Sequence, residues 1–188
     1  MAGVGVEGGG ERDAISRGRG KWGQAGVPHK GWTCVGEYDT FEEIGEDEFV
    51  TCGMCESAQV RFVHIMTNDR YPDQLACGCI CAGHMAEDLA TAEVRDKAMR
   101  STAGRRDHFP ARKGWKISAK GTPYINVLGF HLMVVEKRDG QYAVGATPPN
   151  STKRVWGARR YKTVEHAQKG CFDAMRYLQE QRASGQPH

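Results

Sequence analysis

The chain of 188 residues has no long hydrophobic run. Its longest apolar stretches, such as HLMVV at 131–135, are strand-sized. A membrane-spanning helix needs about 20 apolar residues, so no membrane partner is expected. The start of the chain lacks the apolar core of a secretory signal. MAG also lacks the glycine directly after Met that myristoylation requires. A cytoplasmic location follows as the expectation, and there thiols stay reduced. Aromatic residues are few, at 9%. Also lacking are a phosphate-cradling glycine loop, a nucleophile–base pair, and the H-x-E with P-C-x-x-C of a zinc deaminase. No His pair of a metal-dependent nuclease stands on the expected hairpin, so that reading ranks far behind a non-enzymatic one.

Charge of one sign is scarce in each half. Residues 1–94 carry 7 Lys/Arg against 16 Asp/Glu, and residues 95–188 carry 19 against 7. The net charge of +3 conceals this split. A basic half points to a negatively charged partner.

Cysteine, by contrast, is concentrated. Residues 51–85 hold five of the seven cysteines and two of the seven histidines. An odd count, clustered in a chain expected to be intracellular, points to metal ligation rather than a disulfide framework. Cys52-x-x-Cys55 forms a knuckle that turns two thiolates toward one ion, with Gly53 easing the turn. VRFVHIM reads as a strand, TNDRYPD as a turn and LACGCIC as the returning strand. CAGHMAEDLATAEVRDKAMR then reads as one helix with Met85, Leu89, Ala92 and Met99 on one face. Cys81 at the helix start and His84 three residues later share its first turn. The expected zinc tetrad is Cys52, Cys55, Cys81 and His84, around one structural ion. Cys79 and His64 are the alternates, and Cys79 shares its strand face with Cys77. Cys77, Cys34 and Cys171 read as packing residues, and His64 reads as a hydrogen-bonded structural histidine.

Residues 1–26, with nine glycines, read as a disordered tail that cannot offset its ordering entropy by burial. Residues 37–48 hold seven acids and no base, as a solvated loop or short helix does. The expected organisation is a tail at 1–26, a zinc-binding module with an acidic loop at 27–103, a basic linker at 104–114, and a second module at 115–188. In that module WKISA, YINVL, FHLMVVEK, QYAVGAT and RVWGARRY read as strands, with the RDG turn favouring a hairpin. KTVEHAQKGCFDAMRYLQEQR follows as a helix capped by Thr163. The fold class is α+β: a knuckle, hairpin and helix, then an antiparallel three- to four-stranded sheet on one C-terminal helix.

Bases cluster in the C-terminal half. Residues 95–120 hold nine Lys/Arg and residues 151–170 hold six. Arg105, Arg106, Lys113, Lys153, Arg154, Arg159, Arg160 and Lys162, interleaved with Trp156, are the candidate nucleic-acid contacts. Guanidinium and ammonium groups neutralise phosphates, and an aromatic ring stacks on a base or sugar. Strand parity groups Arg154, Trp156 and Arg160. A protein partner is the competing expectation, with the acidic and basic surfaces serving as contacts on a zinc scaffold.

Two resemblances join these residues. The knuckle, the hairpin and the G-x-x-C of Gly78 and Cys81 are similar to the treble-clef-like zinc element of a group of bacterial and phage cysteine-rich proteins without an established activity. That likeness implies a zinc site but no reaction. The hairpin, then KRVW, then YKTVEHA opening a long helix resembles the Apetala-two/ethylene-response type of DNA-binding domain over residues 129–178. That resemblance implies a three-stranded sheet against DNA, and hence DNA rather than RNA as partner. Here Tyr142 stands where tryptophan is usual, and one extra residue separates Trp156 from Tyr161.

Overall fold

The computed structural model describes residues 7–184. They form mixed helices and antiparallel sheets in two compact units, divided between Ala103 and Gly104. Among the described residues, no helix is long and apolar enough to cross a membrane.

The first unit opens with α1 (Glu7–Ser16) and a 3-10 turn at Gly20–Gly23. From Glu7 on, the expected disordered tail is therefore ordered; residues 1–6 lie outside the described residues. Glycines 8–10 are poor helix formers, so packing has to supply what propensity does not. Ala14 and Trp22 are both buried in the core of the unit. Gly20 is needed there twice over: its φ is +59°, and a Cβ would lie 2.6 Å from the Cys55 backbone.

Strand β1 (Thr33–Asp39) runs into a one-turn helix, α2 (Thr40–Glu43). Asp39 caps that helix by accepting from the Phe41 N–H at 3.0 Å, and its carboxylate also receives the Arg61 guanidinium at 2.9 Å. The acidic stretch is thus part strand and part helix rather than a free loop. A short ladder, β2 (Val50–Thr51) with β3 (Gln59–Val60), closes the knuckle. The expected hairpin is present as β4 (Phe62–Asn68) and β5 (Tyr71–Cys77). β1 adds to its other edge, giving the order β1-β4-β5.

The single expected helix is two. α3 (Cys79–Met85) ends, Glu87 turns through φ +57°, and α4 (Leu89–Asp107) starts afresh. Asp88 accounts for the restart: its carboxylate accepts from the Thr91 N–H at 3.0 Å, a capping bond that competes with helix continuation. α4 extends through the first four residues of the expected linker.

The second unit is a meander of β6 (Lys116–Ile117), β7 (Pro123–Val127), β8 (Phe130–Glu136), β9 (Tyr142–Thr147) and β10 (Val155–Trp156), ordered β10-β9-β8-β7-β6. α5 (Val164–Ala183) packs against β8 and β9. Thr163 caps it as expected, accepting from the His166 N–H at 3.1 Å. The core joins Ile125, Leu132, Val134 and Val144 of the sheet to Ala167, Cys171, Met175 and Leu178 of the helix. That uses one parity of each strand and leaves the other for the opposite face.

Candidate functional site

The cysteine centre is assembled by the knuckle, the end of β5 and α3. Cys52, Cys55 and Cys81 are buried, and their sulfurs lie within 4.8 Å of one another. Four sulfurs around a tetrahedral zinc lie on the order of 3.8 Å apart, so a metal ion is within a small contraction of this cluster. All seven cysteines are free thiols. Cys77 is fully buried beside them, with its thiol directed at the Met85 sulfur at 3.7 Å. The neighbouring Cys55, Cys77 and Cys81 thiols hold Cys52 far below the ordinary thiol range. The same contacts, with burial, push Cys77 and Cys81 up. A single thiolate shared among neighbouring thiols is the electrostatic arrangement a cation replaces.

His84 does not join this group. It sits late in α3 with its side chain exposed. The inward side of α3 is filled by Cys81, Ala82 and Met85, and His84, about 60° round from Cys81, falls on the solvent edge. Cys77, fully buried at the end of β5, is a further thiol beside Cys52. Cys79, half-buried, stands apart from the trio, and burial beside Asp96, Glu11 and Glu93 pushes its thiol up to about 12.

Two side chains from the N-terminal segment complete the centre. The Trp22 indole donates to the Cys81 sulfur at 3.5 Å, and Glu11 accepts from the Cys81 backbone N–H at 3.3 Å. Burial and the neighbouring Cys52 push the Glu11 carboxyl up to about 7. Gly78 is the one residue that fits beneath that carboxylate, since a Cβ would stand 2.3 Å from its oxygen. Sequence reading missed both residues. The only cue was a tryptophan within an otherwise glycine-rich run.

In the second unit, the candidate bases divide into three kinds. Arg106 is 1% exposed, and its Nε donates to both carboxylate oxygens of Asp173, at 2.9 and 3.0 Å. It ties α4 to α5 and is no surface contact. Arg160 is exposed and donates from Nη1 to the Gly157, Ala158 and Arg159 carbonyls at 3.2 Å, bracing its own loop. Arg159 lies over the Tyr161 ring at 5.9 Å. Arg105, Lys113, Lys153, Arg154 and Lys162 are exposed.

The sheet face opposite α5 gathers a set that the sequence pattern only partly anticipates. Trp156 is 47% exposed, with the Lys137 ammonium 4.7 Å and the Arg154 guanidinium 5.8 Å from its ring. In register, Trp156 faces Gly145, Gly145 faces Met133, Met133 faces Tyr124, and Tyr124 faces Lys116. Tyr124 and His131 meet on this same face, their rings 5.4 Å apart and tilted by 40°. Lys137 was legible, because residues 131, 133, 135 and 137 alternate with the core positions of β8. No family model, curated protein or solved structure matches the chain.

Proposed function

We propose that the protein is a non-enzymatic nucleic-acid-binding protein whose first unit is stabilised by one structural zinc ion. The ion would be held by Cys52, Cys55 and Cys81, with Cys77 as the fourth ligand in place of His84. Knuckle, hairpin and α3 then form a treble-clef-like module. Thiolates suit zinc over harder divalent ions, and four of them close the site to water. The basic unit grips phosphates. What supports this reading is Trp156, with Lys137 and Arg154 beside its ring, on the sheet face opposite α5. A half-exposed ring beside two cations offers stacking and charge together. Lys116 and Lys153 add charge, and both are exposed.

Duplex DNA is the proposed partner, gripped mainly through its backbone. Of the acids at 37–48, Glu37 and Asp39 face Arg95 and Arg61 of their own unit. Those pairs therefore account for two acids without drawing on the basic unit.

The test is a titration of the full chain against labelled duplex DNA, single-stranded DNA and RNA at low and physiological salt. Duplex DNA should bind tightest, with log affinity falling steeply with log salt. No binding at low salt, with the metal retained and the fold intact, rules this function out and leaves a protein-binding scaffold as the alternative.

A further inference from the structure

His64 lies at the middle of β4, the central strand of its sheet, and is fully buried. Neither ring nitrogen has a hydrogen-bond partner. A buried polar group without a partner costs about 1–3 kcal/mol, so a native structure holding one needs an account of it. The expectation of a hydrogen-bonded structural histidine does not fit this geometry.

What faces His64 is a donor set from two other elements. The Cys79 sulfur, in the first turn of α3, and an Asp96 carboxylate oxygen on α4 lie within 4.8 Å of the imidazole nitrogen and of each other. Cys79 and Asp96 line a cavity of about 200 Å³, together with Glu93, Glu11 and Arg100. Arg100 donates to one Asp96 oxygen at 2.5 Å, which leaves the other oxygen for a further partner.

We propose that His64, Cys79 and Asp96 bind a second metal ion, a divalent transition metal of the zinc type, separate from the thiolate centre. Imidazole, thiolate and carboxylate are the three donor types that zinc accepts. Donors at bonding distance from one ion stand about 3.3–3.8 Å apart, so a modest closure of the triad suffices. The charge agrees. With Cys79 as thiolate and Asp96 ionised, the ligands carry two negative charges; Arg100 offsets one of them, and Glu93 lines the same cavity. A cysteine nucleophile activated by His64 would want an electropositive setting instead. Three protein ligands beside a cavity leave a fourth position for water or a small ligand.

His64 also lies within 4.8 Å of donor atoms of Cys34 and Glu37. That side is the poorer host. Glu37 is exposed and faces Arg95 at 3.8 Å, and the Cys34 thiol is already directed at the Gly36 carbonyl at 3.4 Å.

The test is metal content, which is independent of nucleic-acid binding. Full-length protein, purified under reducing conditions and reconstituted with zinc, should hold two ions per chain. Asp96→Asn and Cys79→Ser should each hold one. Both changes sit at half-buried positions and keep the side-chain shape, and circular dichroism will report whether each variant is folded. Substitution with cobalt separates the two centres. The intense thiolate bands of the Cys52 centre should persist in both variants, while a weaker mixed-donor set disappears. Wild type with one ion or none overturns the proposal, as do two ions retained in both folded variants. A single ion that vanishes on Cys52→Ser but survives Asp96→Asn would leave the thiolate centre standing and remove this one.

Discussion

The Trp22 indole nitrogen stands 3.5 Å from the Cys81 sulfur, 59 residues away in the chain. A glycine-rich segment thereby becomes part of the wall of the cysteine centre. N–H donors to metal-bound thiolates tune a site from outside its ligand shell. Trp22→Phe removes the donor and keeps most of the ring, so it should cost about 1 kcal/mol. Trp22→Ala should cost about 3–5 kcal/mol, since it also opens a cavity. Deleting residues 1–26 should behave at least as badly as Trp22→Ala. Thermal unfolding and the rate of zinc transfer to a chelator will rank the three. A deletion as stable as the full chain would mean that the segment does not pack there.

Cys77 and His84 separate the geometric reading of the metal centre from the spacing-based one. Cys77→Ser should lower metal content and destabilise the first unit, because it removes the proposed fourth ligand, a buried thiol beside Cys52. His84→Ala should leave metal content unchanged and alter stability by at most about 0.5 kcal/mol, as exposed substitutions do. Metal analysis beside a melt of each variant decides the matter. Zinc loss on His84→Ala with retention on Cys77→Ser would restore the His84 tetrad.

The hairpin, the Thr163 cap and the meander were readable because each rests on local chemistry. β4 and β5 alternate, Thr163 bonds its own helix, and turns such as Asp139-Gly140 are set by two or three residues. The knuckle was readable for the same reason. What escaped was long-range. Whether glycines 8–10 form a helix depends on a surface supplied by α3, which no local propensity reports. Cys77 and His84 differ by the direction each side chain takes, fixed by where β5 ends and α3 begins. A boundary shift of one residue exchanges inward for outward. Arg106 looked like its neighbour Arg105 in sequence, and only the placement of Asp173 on α5 makes one of them structural.

That difference yields a paired prediction. Arg106→Ala removes the buried guanidinium that Asp173 accepts from and should destabilise the second unit by about 3–5 kcal/mol. Its loss of nucleic-acid binding would then follow unfolding. Trp156→Ala, at a half-exposed position, should leave the melting temperature nearly unchanged. It should weaken binding by about 1–3 kcal/mol, the range for one stacked base. Lys137→Ala should instead reduce the salt dependence by about one counterion. Melts and titrations on the same three variants test this directly. Equal destabilisation by Trp156→Ala and Arg106→Ala would place Trp156 in the core.

Burial lowers the His64 pKa below its ordinary 6.5, despite the opposing pull of Asp96 and Glu37. The unfolded chain therefore binds a proton at this residue more readily than the folded one. The stability that His64 contributes is full above pH 6.5 and is lost as pH falls from there through the folded value. The slope reaches at most about 1.4 kcal/mol per pH unit. A bound metal leaves the sign unchanged, because a ligating imidazole is also unprotonated. His29 and His84 are exposed and do not share this environment. His64→Gln cannot titrate, so between pH 6.5 and 5 its stability should fall less steeply than that of the wild type. Denaturant melts of both proteins at half-unit intervals measure the difference. Parallel curves would mean that His64 reaches solvent or a proton-sharing partner, and the case for an unpartnered buried imidazole would fail with them.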